Sequence, residues 1–503
     1  MMAISFNLCS LLKRNAYLYG NAEALIAEEK RYSYGNLLPR SSALAHTLSL
    51  EGIKSGDRIA LLTDDGLDIL FGLFAASQLG AVVVPLNTRL SEGEKAHLLK
   101  DTRPSLLCAS AHYFDEAKRV AKAIRGLSVR RTEEMYSTQV FPPDPSSPPP
   151  AGTPCLIIHT AAVGGKPRGA VLTQENLIST AVQIAHLLTL TEKDRHLCLL
   201  PLFHIGGIAF SLATTLVGGS TMLVRRFDAE AVPKMIEKEQ LTFFITFPPM
   251  LSAILEAAER QGCHLPSLRL AGGVDSPENI ERFLSAHPQA LFYHIYGQTE
   301  CMPISGGVYT QAGGSIGKPA LLTEISIRDE EDRPLSPGER GEICVRSPSV
   351  FQGYWRLKGD SAYTFRGGWH HTGDLGEMGQ DGTLFYRGRK PDKDLIKTGG
   401  ENVYPREVEA VLLSHEAVKE ACVIGVPDEK WGEAVVALCV LKEGRQVEES
   451  KLIEHVASRI ARYKRPQRVL FIDALPKTLD GRIDRERVKM MGVELLIPPR
   501  KQN

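Results

Sequence analysis

Short apolar runs that alternate with helix-length segments restrict the fold more than any other feature of this chain. Residues 58–63 form one such run, a helical pattern follows at residues 67–79, and residues 81–85 form the next run. Similar runs occur at residues 197–202, 220–224 and 243–247. Buried strands that alternate with helices are typical of α/β layers, so this part of the chain is predicted to build largely parallel sheets.

The pattern changes further along the chain. A proline-rich stretch at residues 141–152 predicts an extended surface connector before the strand-like run 155–159. After about Gly313, turn residues and short alternating runs predict a β-rich subdomain. From about residue 390 a compact α+β pattern follows, with helices predicted at 408–413 and 452–460 and strands at 418–426 and 435–441. We therefore predict an α/β fold with a large N-terminal domain of layered subdomains, residues 1–389, and a small α+β C-terminal domain, residues 390–503.

Composition narrows the class of protein. The 503 residues carry 59 basic and 59 acidic side chains, so the net charge gives no reason to expect a nucleic-acid partner. The nine cysteines are scattered and form no C-x-x-C pair, which argues against a zinc site or a disulfide framework and favours a reducing, cytoplasmic compartment. No window approaches 18 uncharged apolar residues, and the N-terminus lacks the order of a signal peptide, so no transmembrane segment is predicted.

Asp374 and Arg389 suggest a nucleotide site. Asp374 follows Thr372 and Gly373, in what we interpret as a tight turn, and Arg389 comes fifteen residues later. Such an aspartate can accept hydrogen bonds from two ribose hydroxyls, and an arginine can reach the same sugar or a phosphate. Either residue alone is more often an ordinary turn or surface residue. Their order and spacing, followed by residues 394–405, favour ribose binding.

Further motifs extend the pattern over nearly the whole chain. They are Tyr-Gly-Gln-Thr-Glu at residues 296–300, Pro-Leu-Phe-His-Ile-Gly-Gly at 201–207, and Leu-Pro-Lys-Thr-Leu-Asp-Gly-Arg-Ile-Asp-Arg at 475–485. With them the chain resembles the AMP-forming acyl-CoA synthetases of the adenylate-forming superfamily, from about Ala24 to Lys489. The resemblance implies ATP, Mg²⁺ and CoA as cofactors, a carboxylic acid as substrate, and a mobile C-terminal domain that rotates between an adenylating and a thioester-forming pose. A homodimer is left open.

The resemblance also implies roles for individual residues. Thr299 would contact phosphate, Glu300 would hold Mg²⁺, and Tyr296 would lie against the adenine. Catalytic roles fall to Arg482, Glu300, Thr299 and Lys166. Nucleotide binding falls to Thr160, Gly164, Gly165, Gly273, Tyr296, Gly297, Gln298, Asp374, Arg389 and Lys397. Acid binding falls to Phe203, His204, Phe247, Gly272 and Val274, with His204 as a pocket wall and not a proton donor. CoA binding falls to Gly399, Gly400, Glu401 and Asn402, and the hinge to Lys390, Asp392 and Lys393.

The chain departs from the family pattern at four places. In the phosphate loop, Ala161, Ala162, Val163 and Gly164 stand where the family has Ser, Gly, Thr and Thr, although Lys166 and Arg168 keep the positive charge. Losing two or three hydrogen bonds to phosphate, at about 1.5–3 kcal/mol each, would weaken contacts on the pyrophosphate side. The other three departures are Asp275 where the family usually has proline, Arg482 in place of the catalytic lysine, and about two extra residues, including Pro391, in the hinge.

The resemblance predicts a two-step ligase, which forms an acyl-adenylate and then an acyl-CoA thioester. The side chains expected around the acid are mostly apolar and small, and none of them is a cation that could pair with a second carboxylate, which argues against dicarboxylates. Medium-chain, alicyclic and aryl acids stay open. Three alternatives stay open. The acyl group could pass to the phosphopantetheine of a carrier protein, the chain could be a degenerate homologue that binds nucleotide or acyl-CoA as a sensor, or it could act mainly in the thioester half-reaction.

Overall fold

The computed structural model describes residues 6–136, 149–160, 167–390, 395–428, 430–478 and 482–496. The chain forms two compact units. The larger contains most of the described chain up to Lys390, and the smaller contains Arg89–Lys95 and the described residues after Lys390. A large N-terminal domain and a smaller C-terminal one, both mixing helices with sheets, confirm the predicted fold class. The exact boundary after Arg389 stays a prediction.

Helices and strands alternate through most of the described chain. The α-helices are α1 Leu8–Tyr19, α2 Tyr34–Leu50, α3 Gly66–Leu79, α4 Glu92–Thr102, α5 Phe114–Ala121, α6 Thr132–Met135, α7 Gln174–Leu187, α8 Ile205–Val217, α9 Val232–Glu239, α10 Met250–Gln261, α11 Pro277–Ala286, α12 Lys358–Thr364, α13 Pro405–Leu413, α14 Glu449–Ala457 and α15 Arg485–Leu496. The strands are β1 Glu23–Ala27, β2 Lys30–Ser33, β3 Arg58–Leu62, β4 Val82–Pro85, β5 Leu106–Ala109, β6 Ser128–Arg131, β7 Pro154–Thr160, β8 Arg168–Thr173, β9 Arg195–Cys198, β10 Ser220–Leu223, β11 Phe243–Thr246, β12 Leu270–Gly273, β13 Leu291–Gln298, β14 Cys301–Val308, β15 Lys318–Pro319, β16 Glu324–Arg328, β17 Arg340–Arg346, β18 Gly353–Tyr354, β19 His370–Met378, β20 Leu384–Arg389, β21 Ile396–Thr398, β22 Glu401–Val403, β23 Val418–Asp428, β24 Gly432–Leu441 and β25 Arg468–Phe471.

Two large sheets form the α/β layers of the first unit. One has nine strands in the order β15-β14-β13-β12-β11-β9-β10-β1-β2, and the other has seven in the order β18-β8-β7-β4-β3-β5-β6. The central strands of both run parallel. Strands such as β4 and β11 are buried at every position, which explains why their sequences are continuous apolar runs rather than alternating ones.

The predicted strands and helices are found, with two corrections to their bounds. The run at residues 197–202 was expected to be one strand, but β9 ends at Cys198 and the chain leaves the sheet before Pro201, which has no N–H for a ladder bond. Helix α14 ends at Ala457, three residues before the predicted end. Most of the proline-rich connector, at residues 141–148, lies outside the described residues.

A four-stranded antiparallel sheet, in the order β16-β17-β19-β20, is the expected β-rich part of the first unit. The second unit is built on a sheet in the order β22-β21-β24-β23, with β25 parallel to β24. Eight cysteines are buried, and Cys263 is half-buried. None of the helices in the described part of the chain combines the length and hydropathy needed to span a bilayer.

Asp68 is a buried carboxyl group in the first turn of α3. The hydroxyl of Thr63 donates to it over 2.8 Å and that of Tyr136 over 2.9 Å. Burial, helped by the charge of Asp65, raises the pKa of Asp68 to about 6. The carboxyl therefore binds a proton more tightly in the folded chain than in the unfolded one.

Asp68→Asn should stabilise the protein at pH 7.5 and not at pH 4. The unfolded carboxyl ionises near pH ~3.9, so wild-type stability falls as pH rises from there to about 6, by up to ~3 kcal/mol. Asparagine removes this penalty. Thermal midpoints followed by circular dichroism at the two pH values provide the measurement. Asp115, whose side chain is 88% exposed, supplies the control variant Asp115→Asn, and an equal gain at both pH values would contradict the prediction.

Candidate functional site

A bulge in β19 sets the position of Asp374. Opposite Ile343 of β17, three residues of β19 take the place of one, namely Thr372, Gly373 and Asp374. Gly373 has φ +70°, in the left-handed region that glycine tolerates, and the Thr372 hydroxyl donates to the Ile343 carbonyl over 2.7 Å. The segment interpreted as a tight turn is therefore a bulged strand, which pushes Asp374 out of the regular register.

Four of the predicted nucleotide residues meet at Asp374. Its Oδ2 accepts hydrogen bonds from the Tyr296 hydroxyl at 2.7 Å and from Gln298 Nε2 at 2.6 Å. Arg389, its ladder partner on β20, places Nε 4.0 Å from Oδ1. Burial and the charge of Asp374 raise the pKa of Tyr296 well above its usual range, so this hydroxyl remains a donor at neutral pH. The cluster presents a carboxylate and a guanidinium side by side, although their ribose role stays a prediction.

Glu342 supports this bulge from β17, and no sequence motif pointed to it. Its Oε1 accepts from the Gly373 amide at 2.9 Å, and its Oε2 accepts from Lys390 Nζ at 3.2 Å and Arg366 Nη2 at 2.9 Å. Burial alone would raise the pKa of Glu342, but the hydrogen bond from His371 and the charge of Lys390 lower it to about 2. One carboxylate thus anchors the residue before Asp374 and the residue after Arg389.

A Cys–His–Asp group lies beside Glu342. Asp332, Cys344 and His371 offer ligand atoms within 4.8 Å of one another, which is close enough for a metal ion. Arg328 already binds Asp332, and burial raises the pKa of the Cys344 thiol, which opposes the thiolate that a metal would need. We therefore interpret the group as hydrogen-bonded support for the bulge.

Glu300 lies at the turn between β13 and β14, directly after Thr299. Tyr296, Gly297 and Gln298 end β13, so only the last two residues of the motif form a loop. Glu300 is buried, with 8% of the residue exposed, and its Oε1 accepts from the Tyr354 hydroxyl at 2.8 Å and from Thr160 Oγ1 at 3.4 Å. Among the residues that the structure describes, none donates a hydrogen bond to Oε2. A carboxylate that accepts hydrogen bonds through one oxygen and can offer the other oxygen as a ligand suits a hard cation such as Mg²⁺.

The predicted acid-binding residues follow the carboxyl ends of three neighbouring parallel strands. His204 precedes α8 in the connection after β9, Phe247 follows β11, and Val274 follows β12 and is 48% exposed. In open α/β sheets this edge is where ligands bind. Phe203 is buried, with its ring edge-on to His204 at 4.8 Å between centroids.

Gly272 and Gly273 end β12 at the same sheet edge. Gly273 has φ +127°, and a Cβ there would lie 2.0 Å from the Thr246 carbonyl oxygen. At Gly272 a Cβ would meet Ile245 Cδ1 at 3.0 Å. Position 273 therefore admits only glycine, because any side chain would collide with the backbone of β11.

The phosphate loop lies largely outside the described residues. Ala161–Lys166, which includes Gly164, Gly165 and Lys166, is not described, while Thr160 ends β7 and Arg168 begins β8. The Arg168 guanidinium carbon lies 4.1 Å from the centroid of the Tyr354 ring. Predictions for the three loop residues stay predictions.

In the second unit, the predicted CoA residues form a hairpin of β21 and β22. Gly399 and Gly400 have φ +55° and +79° and make its two-residue turn, while Lys397 and Asn402 face each other across the ladder. The Glu401 side chain is buried, so its predicted CoA contact would be made by the backbone. Of the predicted hinge residues, Asp392 and Lys393 lie outside the described residues, and Lys390 donates its backbone amide to the Gly373 carbonyl.

Arg482 lies at the base of a loop closed by a bridge between Lys477 and Ile483. Its carbonyl accepts from the Thr478 amide over 2.8 Å, and its side chain is exposed. Lys477 Nζ forms an ion pair with Glu420 Oε1 at 2.9 Å. That pairing favours a structural role for Lys477 and leaves Arg482 as the cation of this loop that carries the catalytic prediction.

Comparisons with known proteins agree with these motifs. The family model described as AMP-binding enzyme matches residues 12–355, and the model of its C-terminal domain matches residues 407–482. Indoleacetate–CoA ligase of Aromatoleum aromaticum is 34% identical over 95% of this chain and 97% of that protein. Feruloyl-CoA synthase of an Amycolatopsis species is 35% identical, with the same two coverages.

A solved structure supports the same assignment. The o-succinylbenzoate CoA synthetase of Bacillus subtilis, bound to a product analogue, is 30% identical and superposes with a TM-score of 0.86 over 95% of this chain and 98% of that one. Matches of this extent to models, sequences and a structure confirm the resemblance inferred from the motifs. The chain therefore belongs to the AMP-binding enzyme family, among the AMP-forming acyl-CoA synthetases of the adenylate-forming superfamily.

Proposed function

We propose that the protein is an ATP-dependent acid–CoA ligase for a medium-chain, alicyclic or aryl carboxylic acid. The observation that carries the proposal is the cluster of Tyr296, Gln298, Asp374 and Arg389. Tyr296 and Gln298 lie at the carboxyl end of β13, next to β12, where acid-binding residues are also expected. The names of the relatives, indoleacetate–CoA ligase and feruloyl-CoA synthase, favour an aryl acid within this class.

In the proposed first half-reaction, an oxygen of the substrate carboxylate attacks the α-phosphorus of ATP, and pyrophosphate leaves. Asp374 and Arg389 would hold the ribose, so that the phosphates point toward Thr160 and Glu300. Glu300 would hold Mg²⁺, which neutralises phosphate charge when bound. Arg482 would approach the α-phosphate from the C-terminal domain and stabilise its developing negative charge.

In the proposed second half-reaction, the CoA thiolate attacks the acyl carbon and AMP leaves. The C-terminal domain, residues 390–503, would first rotate to bring the Gly399–Gly400 hairpin to the acid. Lys390 is bound through both its amide and its ammonium group, to Gly373 and Glu342. We infer that the rotation takes place after Lys390, in the rest of the predicted hinge up to Lys393.

The test of the proposal is the release of pyrophosphate and the formation of thioester with Mg-ATP, CoA and a panel of acids. The panel contains indole-3-acetate, ferulate, 2-succinylbenzoate, cyclohexanecarboxylate and saturated fatty acids of increasing length. Turnover on any monocarboxylic acid supports the ligase. Pyrophosphate release without thioester, restored by a phosphopantetheinyl carrier protein, would favour the carrier alternative. Faster exchange of acyl-CoA with AMP than net synthesis would favour an enzyme of the second half-reaction, and nucleotide binding without any turnover would favour the sensor.

Arg482→Lys should raise the rate of adenylation about fivefold to tenfold. Arginine keeps the charge of the family's lysine but cannot reproduce its compact ammonium group near the α-phosphate. Single-turnover formation of acyl-adenylate, measured by quenched flow, reports this step alone. Lys477→Gln serves as the comparison, and the assignment to Arg482 is wrong if that variant loses adenylation while Arg482→Lys behaves as wild type.

A further inference from the structure

Tyr354 is a buried tyrosine whose place is set by a strand pairing of only two residue pairs, between β18 and β8. Strand β18 pairs antiparallel with β8, so that Tyr354 faces Ala170 across the ladder. Its amide donates to Ser361 Oγ over 2.9 Å, and its ring packs edge-on against Phe351 at 4.8 Å between centroids. Tyr354 is only 7% exposed and its ring is packed on these sides, so the position of its hydroxyl oxygen is fixed as well.

The Tyr354 hydroxyl points toward the carboxylate of Glu300. The Tyr354 hydroxyl donates to Oε1 over 2.8 Å, whereas the second donor to this oxygen, Thr160 Oγ1, is farther away at 3.4 Å. A carboxylate on a flexible side chain can turn about its terminal torsion, and a short hydrogen bond to one oxygen fixes where the other oxygen points. The bond to Tyr354 therefore selects Oε2 as the atom that is left for a cation.

The face of the same ring contacts the beginning of β8. Arg168 stacks on it, with the guanidinium carbon 4.1 Å from the centroid, and reaches Asp360 Oδ2 with Nη1 at 3.4 Å. Cation–π contacts of this kind depend on the ring and not on the hydroxyl. Tyr354 thus contacts Glu300 through its hydroxyl and Arg168 through its ring. The two contacts can therefore be removed separately by substitution.

We propose that Tyr354 is a positioning residue that orients Glu300 for the metal–nucleotide complex. The inference rests on the proposed function, because it takes the ligand of Glu300 to be Mg-ATP. The effect of Tyr354 passes through the Glu300 carboxylate, and its ring holds Arg168 in place at the same time.

The test compares metal-dependent binding of ATP by wild type, Tyr354→Phe and Tyr354→Leu. Mn²⁺ replaces Mg²⁺, and electron paramagnetic resonance gives the affinity for the Mn·ATP complex without any turnover. Tyr354→Phe keeps the ring and the Arg168 contact, so we expect ~10-fold weaker binding of Mn·ATP and a ~10-fold higher Mg²⁺ requirement for adenylation, with an unchanged thermal midpoint. Tyr354→Leu removes both contacts, so its affinity for Mn·ATP should fall further than that of Tyr354→Phe. The exposed Tyr363, whose ring also lies against an arginine, supplies the control Tyr363→Phe.

A double-mutant cycle still tests the interaction between Tyr354 and Glu300 if either variant is destabilised. In a Glu300→Gln background, Tyr354→Phe should weaken Mn·ATP binding by less than twofold, because both changes act on one interaction. Equal Mn·ATP affinity in wild type and Tyr354→Phe, or a full additional loss in the Glu300→Gln background, overturns the inference. If wild type binds Mn·ATP in a Tyr354-dependent way but activates no acid, the proposed function fails and the positioning role stands. If wild type shows no metal-dependent ATP binding, both the proposed function and the positioning role of Tyr354 are wrong.

Discussion

Glu300→Gln should lower the rate of acyl-adenylate formation by ~100-fold or more while the protein keeps its fold. Glutamine has nearly the same shape, and its amide oxygen can still accept the hydrogen bond from Tyr354 over a similar distance. What it lacks is the negative charge that a hard cation requires from its ligand. Glu300→Gln should therefore slow adenylation and raise the Mg²⁺ concentration that adenylation requires, whereas the thermal stability of the protein should hardly change.

The measurement for Glu300→Gln is single-turnover adenylation at increasing Mg²⁺, with thermal melting beside it. Glu324, which lies on β16 and is 66% exposed, provides the control Glu324→Gln. Partial recovery of the rate at high Mg²⁺ would indicate weakened metal binding, and a flat response would indicate that the charge is needed in the transition state. A rate within threefold of wild type would contradict the role of Glu300.

Asp374→Asn should reduce kcat/KM for ATP by ~30–100-fold, mostly through KM. Hydrogen bonds to a charged group contribute about 1.5–3 kcal/mol each, and a neutral amide would lose part of that energy with every ribose hydroxyl it meets. Asparagine can still accept from Tyr296 and Gln298 through its oxygen, so the bulge in β19 should survive.

The direct measurement for Asp374→Asn is ATP binding by isothermal titration calorimetry, compared with binding of 2′,3′-dideoxy-ATP. Wild type should discriminate strongly between the two nucleotides, and the variant should discriminate weakly. Asp381→Asn, at an exposed turn of the same sheet, is the control. If the variant loses equal affinity for both nucleotides, Asp374 acts on the fold of the site and not on the ribose.

The sequence predicted the α/β layers because their strands are buried on both faces and leave continuous apolar runs. The family resemblance assigned Tyr296, Gln298 and Arg389 to nucleotide binding along with Asp374; the structure brings these side chains together, and their role in nucleotide binding stays a prediction. The sequence placed Thr372–Asp374 in a turn because a glycine beside an aspartate usually marks one. The bulge depends on how three residues of β19 pair with Ile343, and nothing in the local sequence encodes that pairing.

Glu342 and Tyr354 could not be found from the sequence for a related reason. Each acts on a residue about thirty to fifty positions away, and each would be an unremarkable strand residue if its neighbours in space were unknown. A buried tyrosine needs a partner for its hydroxyl, but only the packing of β18 against β8 identifies that partner as Glu300. Local patterns therefore indicate candidate site residues, and tertiary contacts show which side chains hold them in place.

The burial of the cysteines bears on how the enzyme can be assayed. Thiolates, not thiols, react with coloured disulfide reagents, and reaction also requires access from solvent. Eight of the nine thiols are buried and the ninth, Cys263, is half-buried with a raised pKa. The native protein thus adds little to a sulfhydryl titration, so the free CoA that remains during thioester synthesis can be titrated in samples withdrawn at intervals, without first blocking the enzyme.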